Sequence, residues 1–218
     1  LLAAGEGSRF GKPKALVELD GQTLAERGVH MLLAGGADPI LIVTGAAQVE
    51  LDPETPKDPE APGHHIHTVY NGEWRTGMGS SLRAALRALS EAGEPDAAER
   101  SAAVLPPDVA AAVVALADQP LVGAEAVARL IAAHRAGASV AVAAYQGQPR
   151  NPVLLAREHW PEVIATAIGD QGARAFLRAR PDLVTLIECG DTGRPDDIDT
   201  TADLERIAGR HRGSEPLL

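Results

Sequence analysis

The first sixteen residues constrain this chain more than any other stretch. An apolar run, Leu1-Leu2-Ala3-Ala4, breaks into a loop with glycines at Gly5, Gly7 and Gly11 and cations at Arg9, Lys12 and Lys14. Glycines let a backbone turn sharply and bring its N–H groups close to an anion. Cations add charge-assisted bonds to the same anion. A strand end that delivers such a loop builds a cradle for polyphosphate. The chain has only three lysines, and two of them, Lys12 and Lys14, sit here. Lysine is a compact point charge, so this bias favours a specific role over ordinary solubilising charge.

Two well-known cradles fail on spacing. A P-loop needs four residues between its glycines and then Gly-Lys-Ser/Thr; the dinucleotide fingerprint needs Gly-x-Gly-x-x-Gly, but Phe10 stands at the third small position. The loop instead resembles the signature of the MobA-like nucleotidyltransferases, Leu-x-x-Gly-x-Gly-x-Arg-x-Gly-x-Pro-Lys-x-Leu. It matches at Leu2, Gly5, Gly7, Arg9, Gly11, Pro13, Lys14 and Leu16.

At 218 residues and 45% hydrophobic, the chain reads as one globular domain with a sizeable core. Aromatics make up 3%, so that core must be built from Ala, Val, Leu and Ile. A formal charge of −10 argues against nucleic acid or an anionic membrane as a general partner and makes the first loop a local positive patch. The single cysteine, Cys189, cannot form an intramolecular disulfide, fits a reducing compartment and reads as a small buried hydrophobe. No apolar run approaches the roughly 20 residues needed to span a bilayer, and no signal-peptide pattern is seen, so the expected location is cytoplasmic. The chain opens on Leu1 inside a run that reads as a strand, and its natural start is expected upstream.

Aliphatic runs alternate with longer amphipathic ones, the pattern of βα units around a parallel sheet. Strands are expected to end at Ala4, to span Pro39–Gly45, Thr68–Tyr70, Val113–Ala117 and Ser139–Tyr145, and later Pro152–Leu155 and Val184–Cys189. Helices are expected over Thr23–Leu33, Gly79–Ala92, Ala124–Ala136, Ala156–Ile168 and Gly172–Ala179, with a last one from Thr201. Asp52–Gly63 and Gly93–Asp108 read as surface loops. The expected fold class is α/β, a doubly wound, mostly parallel Rossmann-like sheet with a smaller part after residue 145. Ligands of such sheets bind beyond the carboxyl ends of the strands.

Four further segments carry chemistry. In Leu116-Ala117-Asp118-Gln119-Pro120 an apolar strand ends in a carboxylate; Asp118 suits Mg²⁺, which takes one or two carboxylates plus phosphate oxygens, or is a turn residue before Pro120. Gly77-Met78-Gly79-Ser80-Ser81 sets hydroxyls and free N–H groups at a helix start, suited to a phosphate, to a base edge, or to plain capping. Pro149-Arg150-Asn151-Pro152 and Gly169-Asp170-Gln171-Gly172-Ala173-Arg174 lie in the later half, where Arg174 is either a bidentate phosphate clamp or a solvated helix residue. In Asp197-Ile198-Asp199-Thr200-Thr201, a threonine can cap the last helix and Asp199 is a second candidate carboxylate. The run His64-His65-Ile66-His67 lacks a completing ligand for a transition metal and reads as a partly exposed strand start.

These segments extend the family resemblance over Leu1 to Leu204. Asp-Gln-Pro, Gly-Met-Gly-Ser-Ser, Gly-Asp-x-Gly-Ala-Arg and Asp-Ile-Asp-Thr-x-x-Asp-Leu look most like molybdenum-cofactor cytidylyltransferase-like members, whose sheet is of the nucleotide-diphospho-sugar transferase type. One departure stands out: Arg150-Asn151 replaces the family's Gly-His before the proline. The resemblance implies one nucleotidyltransferase domain over 1–218, with NTP bound by about 1–145 and the acceptor by about 146–218. It implies nucleotide contacts from Leu2, Ala3, Ala4, Gly5, Gly7, Arg9, Lys14, Gly79, Ser80 and Ser81. Catalysis falls to Lys14, Arg9 and Asp118, Mg²⁺ (or Mn²⁺) to Asp118 and Asp199, and the acceptor to Asn151 and Arg174. The implied reaction joins NMP from an NTP, CTP ahead of GTP, to a phosphorylated acceptor such as molybdopterin and releases pyrophosphate. A molybdoenzyme apoprotein is an implied partner. The alternatives are a GTP-dependent molybdenum cofactor guanylyltransferase, a transferase for another small phosphate or sugar phosphate, and a non-catalytic nucleotide-binding maturation factor.

Overall fold

Leu2 sits mid-sheet, bridged in parallel to Val43 on one side and Leu116 on the other. The computed structural model describes residues 1–51, 66–92 and 105–212, with side chains to 208. In chain order come β1 (Glu18–Leu19), β2 (Gln22–Thr23), α1 (Leu24–Ala34), β3 (Ile40–Thr44), β4 (Ile66–Tyr70), α2 (Met78–Ser90) and β5 (Ala111–Val114). Then follow α3 (Ala124–Arg135), β6 (Val140–Tyr145), β7 (Gln148–Ala156), α4 (Trp160–Thr166), α5 (Arg174–Ala179), β8 (Val184–Glu188) and α6 (Thr201–Arg212). The expected loop Asp52–Gly63, His64 and His65, and the expected loop Gly93–Asp108 as far as residue 104 lie outside the described residues.

β3 and β4 pair in parallel. A second sheet runs β5-β7-β6-β8. The Leu1–Ala4 segment joins the two, because Leu2 donates to Ala115 and Ala117 donates back to Leu2, while Ala3 donates to Val43. The order is thus β4, β3, the first segment, β5, β7, β6, β8. Pairing is parallel except around β7, which runs against both β5 and β6.

The short strand expected at Pro152–Leu155 is in fact the nine-residue β7, because it closes a hairpin with β6. The turn uses Gln146 at φ 55° and Gly147 at φ 73°, the two left-handed residues that a type I′ hairpin requires. The Glu188 carboxylate receives both turn N–H groups at 3.1 Å. The long helix expected over Ala156–Ile168 is shorter, a single tight turn at Arg157–His159 followed by α4.

Strands buried on both faces read as continuous apolar runs, and β3 shows why. Leu41 faces one core with Leu82, Leu86, Trp160, Val163 and Phe176 from α2, α4 and α5. Ile40 and Ile42 face the other, with Ala25, Val29 and Val127 from α1 and α3. Helices therefore cover both sheet faces. Small side chains such as Ala141 and Ala143 let α3 approach closely. α1 starts with a reciprocal capping box between Thr23 and Glu26. Cys189 is fully buried, as expected; burial pushes its thiol up. No described helix is long and apolar enough to cross a membrane.

Candidate functional site

A cleft of about 730 Å³ opens beyond the carboxyl ends of the central strands. Its walls are Leu2 to Arg9, Lys14 and Ala15, then Trp74, Arg75, Gly77, Met78 and Ser81, then Leu116 to Asp118, and Asp170. Topology alone brings these together, since the first segment and β5 are neighbours and α2 packs across them.

The first loop winds around Gly7, whose carbonyl accepts N–H bonds from Phe10 at 2.7 Å and Gly11 at 2.9 Å. Gly7 has φ 61°, and a Cβ there would strike the Lys12 carbonyl, so the position demands glycine. The backbone N–H groups of Gly5 to Arg9 have no partner among the described residues. That is a row of free donors facing a cleft, an anion nest in the physical sense. The loop ends in a tight turn at Lys14–Leu16 behind Pro13.

Lys14 then reaches across the cleft floor. Its Nζ lies 2.8 Å from Asp118 Oδ2 and 2.5 Å from Asp199 Oδ1. Arg9, with its side chain 68% exposed, touches the other Asp199 oxygen at 3.1 Å. Burial works against the Lys14 ammonium, but the charges and hydrogen bonds of Asp118 and Asp199 outweigh it and raise its pKa. The Lys14 hydrogen bond holds the Asp199 carboxyl below its usual range, with Arg9 adding to the effect. Two carboxylates converging on one cation match what Mg²⁺ takes when phosphate and water complete its shell. Among the described residues no cluster of three His, Cys, Asp or Glu is placed to hold a metal ion.

Asp199 arrives beside Asp118 through a specific chain of contacts. The Ile198 N–H donates to the Asp118 carbonyl at 2.8 Å. Gln119, buried, donates to Asp197 Oδ1 at 2.8 Å and to the Pro195 carbonyl. Burial raises the Asp197 carboxyl, and the Gln119 bond opposes that shift. Thr200 and Asp203 then cap α6 reciprocally, which leaves the Asp199 carboxylate to Lys14 and Arg9. The glutamine of Asp-Gln-Pro is thus a tie that positions the second carboxylate.

The other wall separates the two serines. Ser80 sits at the start of α2 but does not line the cleft: its hydroxyl accepts from Asn71 Nδ2 at 2.8 Å and lies 2.8 Å from the Gly77 carbonyl and 3.0 Å from that of Glu73. Asn71 also donates to Ser81 at 3.0 Å. Both serines are buried, and only Ser81 lines the cleft. Hydroxyl pairs at a helix start look the same in sequence whether they serve a ligand or the turn behind them. The cap on α2 comes instead from Asp170, whose Oδ1 accepts from the Met78 N–H at 3.3 Å across 92 residues of chain.

The glycines of this wall explain that contact. A Cβ on Gly79 would lie 2.7 Å from the Ala167 carbonyl, and one on Gly77, at φ 106°, 2.5 Å from the Gly169 carbonyl carbon. Gly79 therefore serves close packing, and it does not line the cleft. Arg83 bridges the same elements, donating to the Ala167 carbonyl at 2.5 Å and pairing with Glu73 at 3.1 Å. The two glycine-rich motifs read separately in the sequence are one interface.

Asn151 and Arg174 do not line this cleft. Asn151 lies on β7 beside Pro152, and Arg174 is the first residue of α5. Sequence reasoning missed Trp74, Arg75, Met78 and Asp170. The Arg75 guanidinium stacks 4.2 Å over the Trp74 ring, and Trp74 packs so tightly on Gly45 that a Cβ there would come within 2.6 Å of it. The one available signal was an aromatic beside a cation in a chain with few aromatics.

Comparison with known proteins agrees with this geometry. Residues 1–184 match the model of the MobA-like NTP transferase domain. A Paenarthrobacter nicotinovorans protein named nicotine blue oxidoreductase is 35% identical over 95% of this chain and 94% of its own. A probable molybdenum cofactor guanylyltransferase from Opitutus terrae is 48% identical over 48 residues, 22% of this chain and 24% of that one. The crystal structure of a Mycobacterium sp. strain JC1 homologue of Mycobacterium tuberculosis Rv0371c superposes with a TM-score of 0.72 at 29% identity, covering 99% of this chain and 96% of that one. The M. tuberculosis protein itself, solved with manganese, superposes at 0.65 and 22% identity over 95% of each chain.

Proposed function

This chain belongs to the MobA-like NTP transferase family and is a nucleotidyltransferase, and we propose that it transfers CMP from CTP to a phosphorylated acceptor of the molybdopterin type, releasing pyrophosphate. The observation that carries the reading is the unpartnered Gly5–Arg9 backbone in the cleft that Lys14 and Asp118 also line, with Asp199 bonded to Lys14 beside them. Free N–H groups suit a triphosphate, and paired carboxylates suit the divalent ion that accompanies one.

In this reading the Gly5–Arg9 amides and the exposed Arg9 guanidinium hold the outer phosphates. Lys14 neutralises charge that builds on the α-phosphoryl oxygens and the leaving pyrophosphate. Asp118 and Asp199 hold Mg²⁺ or Mn²⁺, which supplies further charge neutralisation when bound. The acceptor phosphate is itself the nucleophile, so the protein contributes position and charge and no covalent side chain. Ser81, Met78 and the Trp74–Arg75 stack form the wall for base or acceptor ring. Residues from about 146 onward contribute the acceptor side, and Asp170 from that half lines the cleft.

A second reading comes from the long match to a protein named as an oxidoreductase. It predicts turnover of a reduced nicotinamide, whereas the first loop lacks the dinucleotide spacing. Pyrophosphate release measured with each NTP and molybdopterin, beside NAD(P)H oxidation with a dye acceptor, separates the two. CTP-dependent pyrophosphate release is expected. GTP preferred by tenfold or more would reverse the base assignment, and nicotinamide oxidation without pyrophosphate would overturn the reading.

A further inference from the structure

Asp118 and Asp199 already share a cation, and it belongs to the chain. The Lys14 ammonium touches one oxygen of each at 2.8 and 2.5 Å. Arg9 holds the second Asp199 oxygen at 3.1 Å. The carboxylates stay partly exposed, with side chains 25% and 35% exposed, while Lys14 is 19% exposed. From this juxtaposition we propose that Lys14 is a placeholder cation, closing the Asp118–Asp199 pair to a divalent ion until a nucleotide phosphate gives its ammonium another partner. The proposal rests on reading the two carboxylates as the metal ligands.

The physics is an exchange of partners. An ammonium and a divalent cation cannot occupy one pair of carboxylate oxygens, because like charges at such distances repel strongly in a partly dry cleft. Lysine can vacate the place, since its charge rides on a flexible four-carbon stem. Its alternative partner lies within the same cleft, where the free Gly5–Arg9 amides would seat phosphate oxygens. Seating a triphosphate then does two things together: it draws Lys14 off the carboxylates, and it supplies the oxygens that complete the metal shell. Metal and nucleotide affinities become reciprocally coupled, by linkage, and the coupling runs through Lys14. Without the placeholder the empty site would hold two converging carboxylates with only Arg9 beside them, and would take a divalent ion on its own.

The test is Mn²⁺ binding to the full chain, followed by electron paramagnetic resonance and calorimetry, with no turnover involved. Without nucleotide, Lys14→Met is expected to bind Mn²⁺ at least tenfold more tightly than wild type, and Lys14→Gln to behave alike if the first variant folds poorly. Adding Asp118→Asn to either variant should cancel the gain. Adding the α,β-methylene analogues of CTP and GTP in turn should strengthen Mn²⁺ binding more in wild type than in the lysine variants. Equal Mn²⁺ affinity in wild type and both lysine variants, or an equal effect of analogue on all three, overturns the placeholder. If Asp118→Asn leaves Mn²⁺ binding unchanged in the lysine variants, the carboxylates are not the ligands and the underlying reading falls instead.

Discussion

Gly79→Ala tests whether the α2 start and the 167–172 segment form one interface. By helix propensity alone the change stabilises, because glycine within a helix costs roughly 0.5–1 kcal/mol relative to alanine. The structure opposes this. The new Cβ would lie 2.7 Å from the Ala167 carbonyl carbon and oxygen and 2.9 Å from the Ile168 nitrogen. Carbon pairs are comfortable near 3.5–4.0 Å, and all three neighbours are backbone, so no rotamer change makes room. The segment must withdraw by on the order of 1 Å, which breaks the Arg83 bond to the Ala167 carbonyl and loosens the Met78–Asp170 contact.

Overpacking of this kind costs about 1–3 kcal/mol. Because every clash is against backbone, the cost falls at about 2–3 kcal/mol, and net of the propensity gain Gly79→Ala should destabilise by about 1–2.5 kcal/mol. For a chain this long that lowers Tm by about 2–10 °C. Urea unfolding measures the change, with Gly72→Ala as control: its Cβ meets only Tyr70 Cε1 at 3.8 Å, and it should stay within about 0.5 kcal/mol of wild type. Because Gly77, Met78, Ser81 and Asp170 line the cleft, KM for the substrate seated on that wall should rise. A Gly79→Ala protein as stable as wild type, with unchanged KM for both substrates, would refute the reasoning.

Asp118→Ala should lower turnover by about 10²-fold or more, the scale of losing a preorganised charge contact, while the fold survives because Ile198 bonds the Asp118 backbone carbonyl and not its side chain; activity near wild type with Mg²⁺ would exclude the residue from the chemistry. Arg9→Ala should raise the Kd for NTP about tenfold, a loss of about 1.4 kcal/mol, and leave urea stability within about 0.5 kcal/mol, since the side chain is largely exposed. Burial pushes the Tyr145 phenol up to about 12, whereas an unfolded tyrosine ionises near pH 10. Between those values the native state holds the extra proton, so the Tyr145 contribution is complete below about pH 10 and is lost as pH rises toward 12. Urea midpoints at pH 9 and 11 should fall more steeply for wild type than for Tyr145→Phe; equal slopes would show that Tyr145 is not the group involved.

The loop side of the cleft was legible in the sequence because its pattern is local. Gly7, Arg9 and Lys14 lie within one loop, and Asp118 ends an apolar strand, so residue types and spacing sufficed. The paired arrangement of Lys14 between Asp118 and Asp199 was not, since it spans 104 and 185 residues and depends on the Gln119 and Ile198 contacts. The place of Ser80 off the cleft was not legible either, because a buried hydroxyl engaged by Asn71 has the same local sequence as one facing a base. Asp170 was invisible as a cap, because helix capping is read from the preceding residues and this cap comes from the other half of the chain. The β6–β7 hairpin was likewise hidden, since Gln146 is a rare choice for a left-handed turn position and Glu188, which holds the turn, lies on β8.

What connects these cases is a division of labour within each motif. In Asp-Gln-Pro the aspartate faces the cleft, while the glutamine points back to the Asp197 loop. In the segment after Tyr70, Asn71 and Ser80 fasten the turn, while Trp74, Met78 and Ser81 reach the cleft. In the last motif Thr200 and Asp203 cap α6 and so release Asp199 toward Lys14. Each of these side chains is thus held by a neighbour in sequence that bonds within the protein. This has a chemical consequence. A site that works by charge and position needs donors fixed before the substrate arrives, and buried residues bonded within the protein, such as Asn71 and Gln119, fix them from outside the cleft. Removing such a residue should therefore loosen the geometry around Asp199 or Ser81 before it alters the charge in the cleft.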